Sequence, residues 1–302
     1  SLKALFAYNR KVMRLAKEHG VEGVWARNIK GILMSGFAAR VLGIPLVWDM
    51  GYEKYSGGIK KVLHWVGFGL VTRIITQSER QFSDTFGPWA ERLVEHKVKC
   101  IYPGIDPQRQ SLLRAVAEKR TCEGQSVLAI GNIHPRKNQE MTIRALAPIL
   151  RSTTELCLMI AGAVRDEDYY EDLRLLVYEE NITGSVHFLG WRDDIPALLG
   201  QSDILVLSSR REGIPHVIRE AMFAEVPVVA TRVGGVPESV NHGETGYLIN
   251  PNDSRGLRTH TQQLLRDPDL RSEMGKNAAR FARKRFSNSS WIEKYEGALK
   301  AV

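Results

Sequence analysis

Hydrophobic positions along the chain fall into short apolar runs bounded by turn residues, alternating with stretches whose apolar residues recur at helical spacing. Runs at 126–130, 155–161, 185–189, 204–207 and 227–230 predict five strands, with helices between nearly all of them. In the first third, 23–27, 45–48 and 73–77 predict strands, and 35–42 and 60–70 predict helices. This alternation describes a parallel sheet with crossover helices, so the fold class is α/β. The stretch Tyr102-Pro103-Gly104-Ile105-Asp106-Pro107, followed by polar residues 118–125, has the chemistry of a domain junction. The boundary is placed within 110–124, giving domains 1–115 and 116–302. A doubly wound sheet binds ligands at the carboxyl ends of its strands, so the residues just after each strand are the candidates for function.

Composition sharpens this picture only in part. At 302 residues, 43% hydrophobic and 25% charged, the chain is long enough for two cores. The net charge of +8 is uneven: residues 1–100 hold 16 Lys+Arg against 8 Asp+Glu, and the remainder holds 26 of each. A basic face suits nucleic acid, anionic lipid or phosphorylated substrates. Because the basic residues are dispersed and accompany no binding module, nucleic acid is excluded. Cys100, Cys122 and Cys157 form neither a CxxC pair nor an even set, which fits a reducing, cytoplasmic setting. The longest apolar stretch, 62–71, is interrupted by His64 and is far shorter than the roughly 20 residues of a membrane span. No signal peptide is visible, and a helix-like pattern begins at once, so an upstream segment is expected.

Three patches follow strand ends. After 204–207 comes Ser208-Ser209-Arg210-Arg211-Glu212-Gly213-Ile214-Pro215-His216, then a helix through Val217 and Glu220. Glu212 lies in the loop and Glu220 on the second helical turn. The free N–H groups near His216 to Ile218, with the positive end of the helix dipole, make an anion site suited to a diphosphate. Taken alone, two glutamates at this spacing are more often a surface loop residue and an ordinary helix residue. After the strand near 227–230, Gly234 and Gly235 either let backbone approach a ligand closely or serve a turn needing positive φ. Pro237 and Glu238 suit a helix first turn. After 126–130, the loop from Gly131 through Asn132, His134, Arg136 and Lys137 to Asn138 offers two cations to a leaving diphosphate. Asp166-Glu167-Asp168 spells a metal-binding DxD, but it opens a charged helix, where acids are favoured electrostatically, and no metal site is assigned.

The run from Ser208 through EGIPHVIREAM, VPVVATRVGGVPESV and GETGYLINPND closely resembles the retaining glycosyltransferases of the GT-B group 1 type, also called family 4. The resemblance covers 126–302, including Trp291, Tyr295 and a final helix that crosses back to the first domain. It is weaker in the first third, resting on LGIPLVWDM, RIITQS and IYPGID. It implies two Rossmann-like domains facing a cleft, an acceptor-side N-terminal one, shortened or incomplete, and a donor-binding C-terminal one. It places Glu212 against the donor sugar and Glu220 on the ribose, with Gly213, Ile214, Pro215, His216 and Val217 lining the donor between them. Lys137 matches the family's lysine, whereas Asn132 stands where an arginine usually follows Gly131, with Arg136 as its neighbouring substitute. The loop Gly190-Trp191-Arg192 falls where the family contacts the base through main-chain atoms; alternatively Trp191 caps the core. Asp49, Gly51 and Glu53 occupy the neighbourhood of a histidine that many relatives carry, with Asp49 either on the acceptor side or a plain loop carboxylate. Glu225 stands where relatives often have a glycine, at a left-handed C-cap.

The function so implied is metal-independent, hexosyltransferase-like transfer, with retention, from a nucleoside diphosphate sugar to an acceptor hydroxyl. Lys137 and Glu212 are the candidate catalytic residues. A UDP or GDP sugar is the expected donor, and no cofactor is required. The acceptor is a lipid-linked or cell-surface glycan, reached from the cytoplasm with peripheral contact at the inner face of the membrane. Lys60, Lys61, Trp65 and Phe68 would supply that contact, unless the aromatics form a buried helix face. Two alternatives stand beside this reading: a non-catalytic donor-binding fragment or partner subunit, and a related sugar-nucleotide epimerase or phosphorylase.

Overall fold

A computed structural model describes residues 2–51, 59–118 and 124–300. Glu53 and Cys122 lie outside these, as do the side chains of Lys60 and Lys61. The chain divides into two units: Ser1–Pro103 with Ser289–Val302, and Gly104–Asn288. The division falls a dozen residues before the expected 115/116, because most of the expected linker is helix. Asp106 Oδ1 accepts the N–H groups of Gln108 and Arg109 at 2.9 and 3.1 Å, capping a helix at Pro107–Glu118. That helix buries Leu113 and packs against the helices Ile195–Gly200 and His216–Phe223 of the second unit.

The first unit holds a parallel sheet in the order β1 (Val24–Ala26), β2 (Leu46–Asp49), β3 (Arg73–Thr76), β4 (Val98–Cys100). β4 escaped sequence reading because three residues, Val-Lys-Cys, carry no periodicity. One face is covered by an aromatic cluster of Trp48, Phe68, Phe82 and Phe86. Phe68 is therefore core, and the apolar surface lies elsewhere, at Val62, Val66, Trp89 and Leu93. The helix Ile59–Leu70 ends on carbonyls that cations satisfy: Lys97 Nζ donates to Phe68 O and Val71 O at 2.9 Å each, and Arg40 Nη1 to Gly69 O at 3.3 Å. Burial, and the neighbouring Arg40, hold the Lys97 ammonium below its ordinary pKa. On the sheet's other face Ala298, in the helix Asn288–Lys300, packs with Val47, Ile75 and Ile101.

The second unit is a six-stranded sheet of β5 (Gln125–Ile130), β6 (Leu156–Ala161), β7 (Val186–Gly190), β8 (Ile204–Leu207), β9 (Val228–Thr231) and β10 (Gly246–Ile249). Its order is β10-β9-β8-β5-β6-β7, with every pair parallel. The five strands expected here appear within one residue of their expected ends. β10 was read only as part of a motif, since Gly-Tyr-Leu-Ile is short and framed by turns. The chain winds outward from β5 through β6 to β7, then returns to the other side of β5 at β8. The β5/β8 crevice is thus a topological switch point, the place where open α/β sheets bind ligands. Among the described residues no helix is long and apolar enough to cross a membrane.

Candidate functional site

At the switch point two loops run side by side, residues 131–138 after β5 and 208–215 after β8. Ser208 laces them together: its hydroxyl lies 3.1 Å from Lys137 O and 2.8 Å from Asn138 O, and it accepts from Thr142 Oγ1 at 2.8 Å. Arg210 adds a backbone bond to Arg136 O at 2.9 Å and a guanidinium bond to Asn138 Oδ1 at 3.3 Å. Across this seam Lys137 Nζ reaches Glu212 Oε1 at 2.6 Å, and Ser209 Oγ donates to the same oxygen at 2.6 Å. Both members of the pair are largely buried. Among the described residues Glu212 Oε2 receives no hydrogen bond, so one oxygen is pinned and the other is left to accept.

Two glycines make this geometry possible. A Cβ on Gly131 would lie 3.1 Å from Lys137 Cε, so the stem of the lysine runs through the space a side chain would fill. Gly234, in the loop after β9, has φ +50°, and a Cβ there would stand 1.8 Å from Glu212 O. Gly235 N donates to Gly213 O at 3.1 Å, and Thr231 Oγ1 to Ser209 O at 2.6 Å. Close backbone approach is indeed what Gly234 provides, but the backbone it admits is that of the Glu212 loop. Positive φ, the other reading, holds for Gly234 and not for Gly235, whose φ is −83°.

The helix His216–Phe223 starts after Pro215 with no side chain capping it, so its first-turn N–H groups and dipole face the crevice end of β8. Ile214 and Pro215 are buried and Val217 is half-buried. Arg219 is wholly buried and joins distant parts of the second unit. Its Nη1 donates to Gly104 O at 3.0 Å, its Nη2 contacts His216 Nδ1 at 2.8 Å, and its guanidinium lies 5.8 Å from the Phe286 ring centre. Arginine only donates, so His216 Nδ1 accepts and the neutral ring carries its proton on Nε2. Burial and the Arg219 charge lower the His216 pKa, and burial pushes Arg219 down to about 10 despite Glu220. Glu220 Oε1 accepts from Arg109 Nε at 2.9 Å, and Arg109 Nη2 lies 2.9 Å from the same oxygen as its ion-pair partner.

The structure thus brings Gly131, Lys137, Glu212, Gly213, Gly234 and Gly235 together, with Glu220 on the adjoining helix. Arg136 and Asn132 are exposed beside them, and the guanidinium tied to the lysine loop is that of Arg210. Gly190 closes β7, at the far edge of the sheet, with φ +65° and its carbonyl accepting from Gly162 N at 2.7 Å. Trp191 is 70% exposed and does not cap the core. Asp49 is no loop carboxylate: it ends β2, is buried, and lies 3.9 Å from Arg27 Nε through Oδ2. Burial raises its pKa against the pull of Arg27 and a hydrogen bond from Trp25. Asp166 caps its helix by accepting from Tyr169 N at 3.0 Å, the structural use of that acidic triplet. Sequence reading missed Arg109 and Ser209, whose importance lies in contacts that no local pattern encodes.

Residues 117–281 match the family described as glycosyl transferases group 1. Over 203 residues the chain is 30% identical to an N-acetyl-alpha-D-glucosaminyl L-malate synthase of Bacillus anthracis, an alignment of 66% of this chain and 52% of that protein. The chain therefore spans about half the length of that relative. It is 28% identical over 286 residues to a GDP-mannose-dependent alpha-(1-6)-phosphatidylinositol monomannoside mannosyltransferase of Mycobacterium tuberculosis, covering 88% of this chain and 72% of the relative. Among solved structures, Anabaena HepE in complex with UDP aligns with a TM-score of 0.81 at 24% identity, covering 97% of this chain and 82% of that one. A Rickettsia africae glycosyltransferase aligns at 0.85 with 18% identity, covering 98% and 81%. The two parallel sheets are the Rossmann-like pair of the GT-B fold, and the chain belongs to the glycosyl transferases group 1 family.

Proposed function

We propose that this protein transfers a glycosyl group from a nucleoside diphosphate sugar to an acceptor hydroxyl, with retention of configuration and without a required metal. The observation that carries the reading is the buried Lys137–Glu212 pair at the β5/β8 switch point, beside the uncapped start of the helix bearing Glu220. A departing diphosphate needs charge stabilisation, which Lys137 and the N–H groups of that helix start supply. Glu212 accepts sugar hydroxyls through Oε2 while Oε1 holds the lysine. Glu220 accepts from the ribose, and the Gly190–Trp191 corner takes the base; three strand spacings separate β7 from β8, roughly 14 Å. In the reaction the bond from the anomeric carbon to the diphosphate oxygen breaks and the acceptor oxygen bonds to that carbon on the same face. The acceptor's proton passes to the leaving phosphate. The UDP found in the HepE structure supports a nucleoside diphosphate as the ligand class.

On the acceptor side we assign a lipid-linked or membrane-surface hydroxyl. Val62, Val66, Trp89 and Leu93 present exposed apolar surface in the basic first unit, and Trp65 stacks on Trp89 at 5.0 Å. The relative from Mycobacterium tuberculosis is named for a phosphatidylinositol acceptor, in keeping with this assignment.

Calorimetric titration with UDP, GDP and ADP, on wild type and Glu220→Ala, combined with nucleotide release from the matching sugars, tests the donor half. Selective binding of one diphosphate, abolished in the variant and accompanied by release, is the expected result. Absence of binding by all three overturns the reading, and binding with no release under any acceptor favours a donor-binding subunit. Co-sedimentation with anionic vesicles, weakened by salt and by Trp89→Ser, tests the membrane half.

A further inference from the structure

We propose that Arg109 is a positioning residue that sets the site's discrimination for a ribose-bearing donor, acting through Glu220. The inference rests on the assignment of Glu220 to the ribose. A glutamate has three rotatable side-chain bonds, so its use as a hydroxyl acceptor requires something to fix its carboxylate. Arg109 does so in an unusual way. Its Nε and Nη2 both converge on Oε1, at 2.9 Å each, instead of pairing with the two oxygens in the fork arrangement usual for arginine and carboxylate. That oxygen is thereby occupied by Arg109, with one hydrogen bond from Nε and the ion-pair contact of Nη2, and among the described residues Oε2 receives no hydrogen bond. The carboxylate is held with a single free acceptor, the requirement for selecting a hydroxyl.

Arg109 is itself placed with care. It sits in the first turn of the helix Pro107–Glu118, whose start is fixed by Pro107 and by Asp106 Oδ1 accepting from Gln108 N and Arg109 N. The preceding loop is anchored where Gly104 O accepts from Arg219 Nη1 at 3.0 Å. The segment Gly104–Arg109 is thus tied at both ends to consecutive residues of one helix, Arg219 and Glu220. This gives the Ile101–Asp106 motif, IYPGID, a purpose beyond joining two units: it delivers a guanidinium to the ribose ligand.

The test uses whichever of UDP, GDP or ADP the full-length protein binds, together with its 2′-deoxy and 3′-deoxy forms, titrated into wild type, Arg109→Ala, Arg109→Lys and Glu220→Gln. Wild type is expected to prefer one ribo form over its deoxy analogue by about ten- to hundred-fold, the range of one hydrogen bond to a charged group. Arg109→Ala is expected to bring that ratio to within about three-fold of unity while affinity for the deoxy form changes little. Arg109→Lys, which keeps one charge but not the edge, is expected to fall between the two. Thermal unfolding confirms that each variant is folded, and the lysine variant carries the test if the alanine variant is not. A wild-type ratio retained in folded Arg109→Ala or Arg109→Lys, or equal weakening of ribo and deoxy binding, overturns this inference alone. Failure of wild type to bind any of the three, or to discriminate at all, overturns the ribose assignment of Glu220 and this inference with it.

Discussion

Gly234 and Glu225 both hold positive φ, at +50° and +57°, and the site's logic makes them respond oppositely to mutation. Gly234 has no room: a Cβ would meet Glu212 O at 1.8 Å, so Gly234→Ala must displace the loop that aims Glu212. Overpacking together with left-handed strain is expected to cost about 3 kcal/mol. Because the displaced loop also carries Ser209, we expect kcat/KM to fall by at least about ten-fold, as loss of a positioning contact does. Glu225, by contrast, carries a side chain whose ion pair with Arg283, 3.7 Å long and half-exposed, contributes little. Glu225→Gly removes the left-handed strain and is expected to stabilise by about 0.5–1 kcal/mol, with turnover unchanged. Denaturant midpoints measure both effects. The left-handed position was legible only through the family resemblance, in which a glycine often stands where this chain has Glu225; the sequence itself carries no glycine or asparagine there. The contact of Gly234 with Glu212 was not legible, since it joins loops that only the β8–β9 pairing brings together.

At the scale of elements, strand ends explain most of what is chemically unusual. The strands of the second sheet were readable because β8 and β9 are short apolar runs, buried on both faces as a parallel sheet demands. β4 and β10 were not, being three or four residues long and only partly apolar. The end of β2 supplies a prediction. Asp49 stands buried, with Oδ1 lacking a hydrogen-bond partner among the described residues, and exposed Arg27 and a hydrogen bond from Trp25 offset its burial only in part. Its folded pKa lies above the unfolded 3.8. In the window between the two values the folded state holds the proton more tightly, so the stability this carboxyl contributes is complete below 3.8 and is lost as pH rises through the folded value. Asp49→Asn mimics the protonated form at all pH. The variant is therefore expected to be more stable than wild type at pH 7, and that gain is expected to shrink to nothing as pH falls toward 3.8. Chemical denaturation of both proteins across that range measures it; a gain independent of pH would show that the charge is not the source of the cost. A carboxylate kept at such a position against stability fits the acceptor-side role proposed for this unit.

For the molecule as a whole, the division at Pro103/Gly104 and Asn288/Ser289 means that the chain leaves the first unit and returns to it. The returning segment is not ornamental, because Ala298 is wholly buried with Val47, Ile75 and Ile101, closing one face of the first sheet with Trp291 and Tyr295 packed beside it. Burial also pushes the Tyr295 hydroxyl up to about 12, with Asp49 adding to the effect. The second unit has its own core, running from Val127 and Ile160 to Leu257 and Met274, and every residue assigned to the donor belongs to it. Ala298→Asp should then injure one unit selectively: an unpaired charge placed in the first core costs about 3 kcal/mol or more. Calorimetric affinity for the nucleoside diphosphate is expected to stay within about two-fold of wild type, since that binding belongs to the second unit. A saturating nucleotide stabilises only the unit that binds it, by about 2.7 kcal/mol at a hundred times Kd. In scanning calorimetry the variant should therefore show an early transition that the nucleotide leaves in place and a later one that it raises. If both transitions move together with ligand, or if Ala298→Asp abolishes nucleotide binding, the donor site draws on the first unit, and the assignment of the whole donor pocket to residues 104–288 must be abandoned.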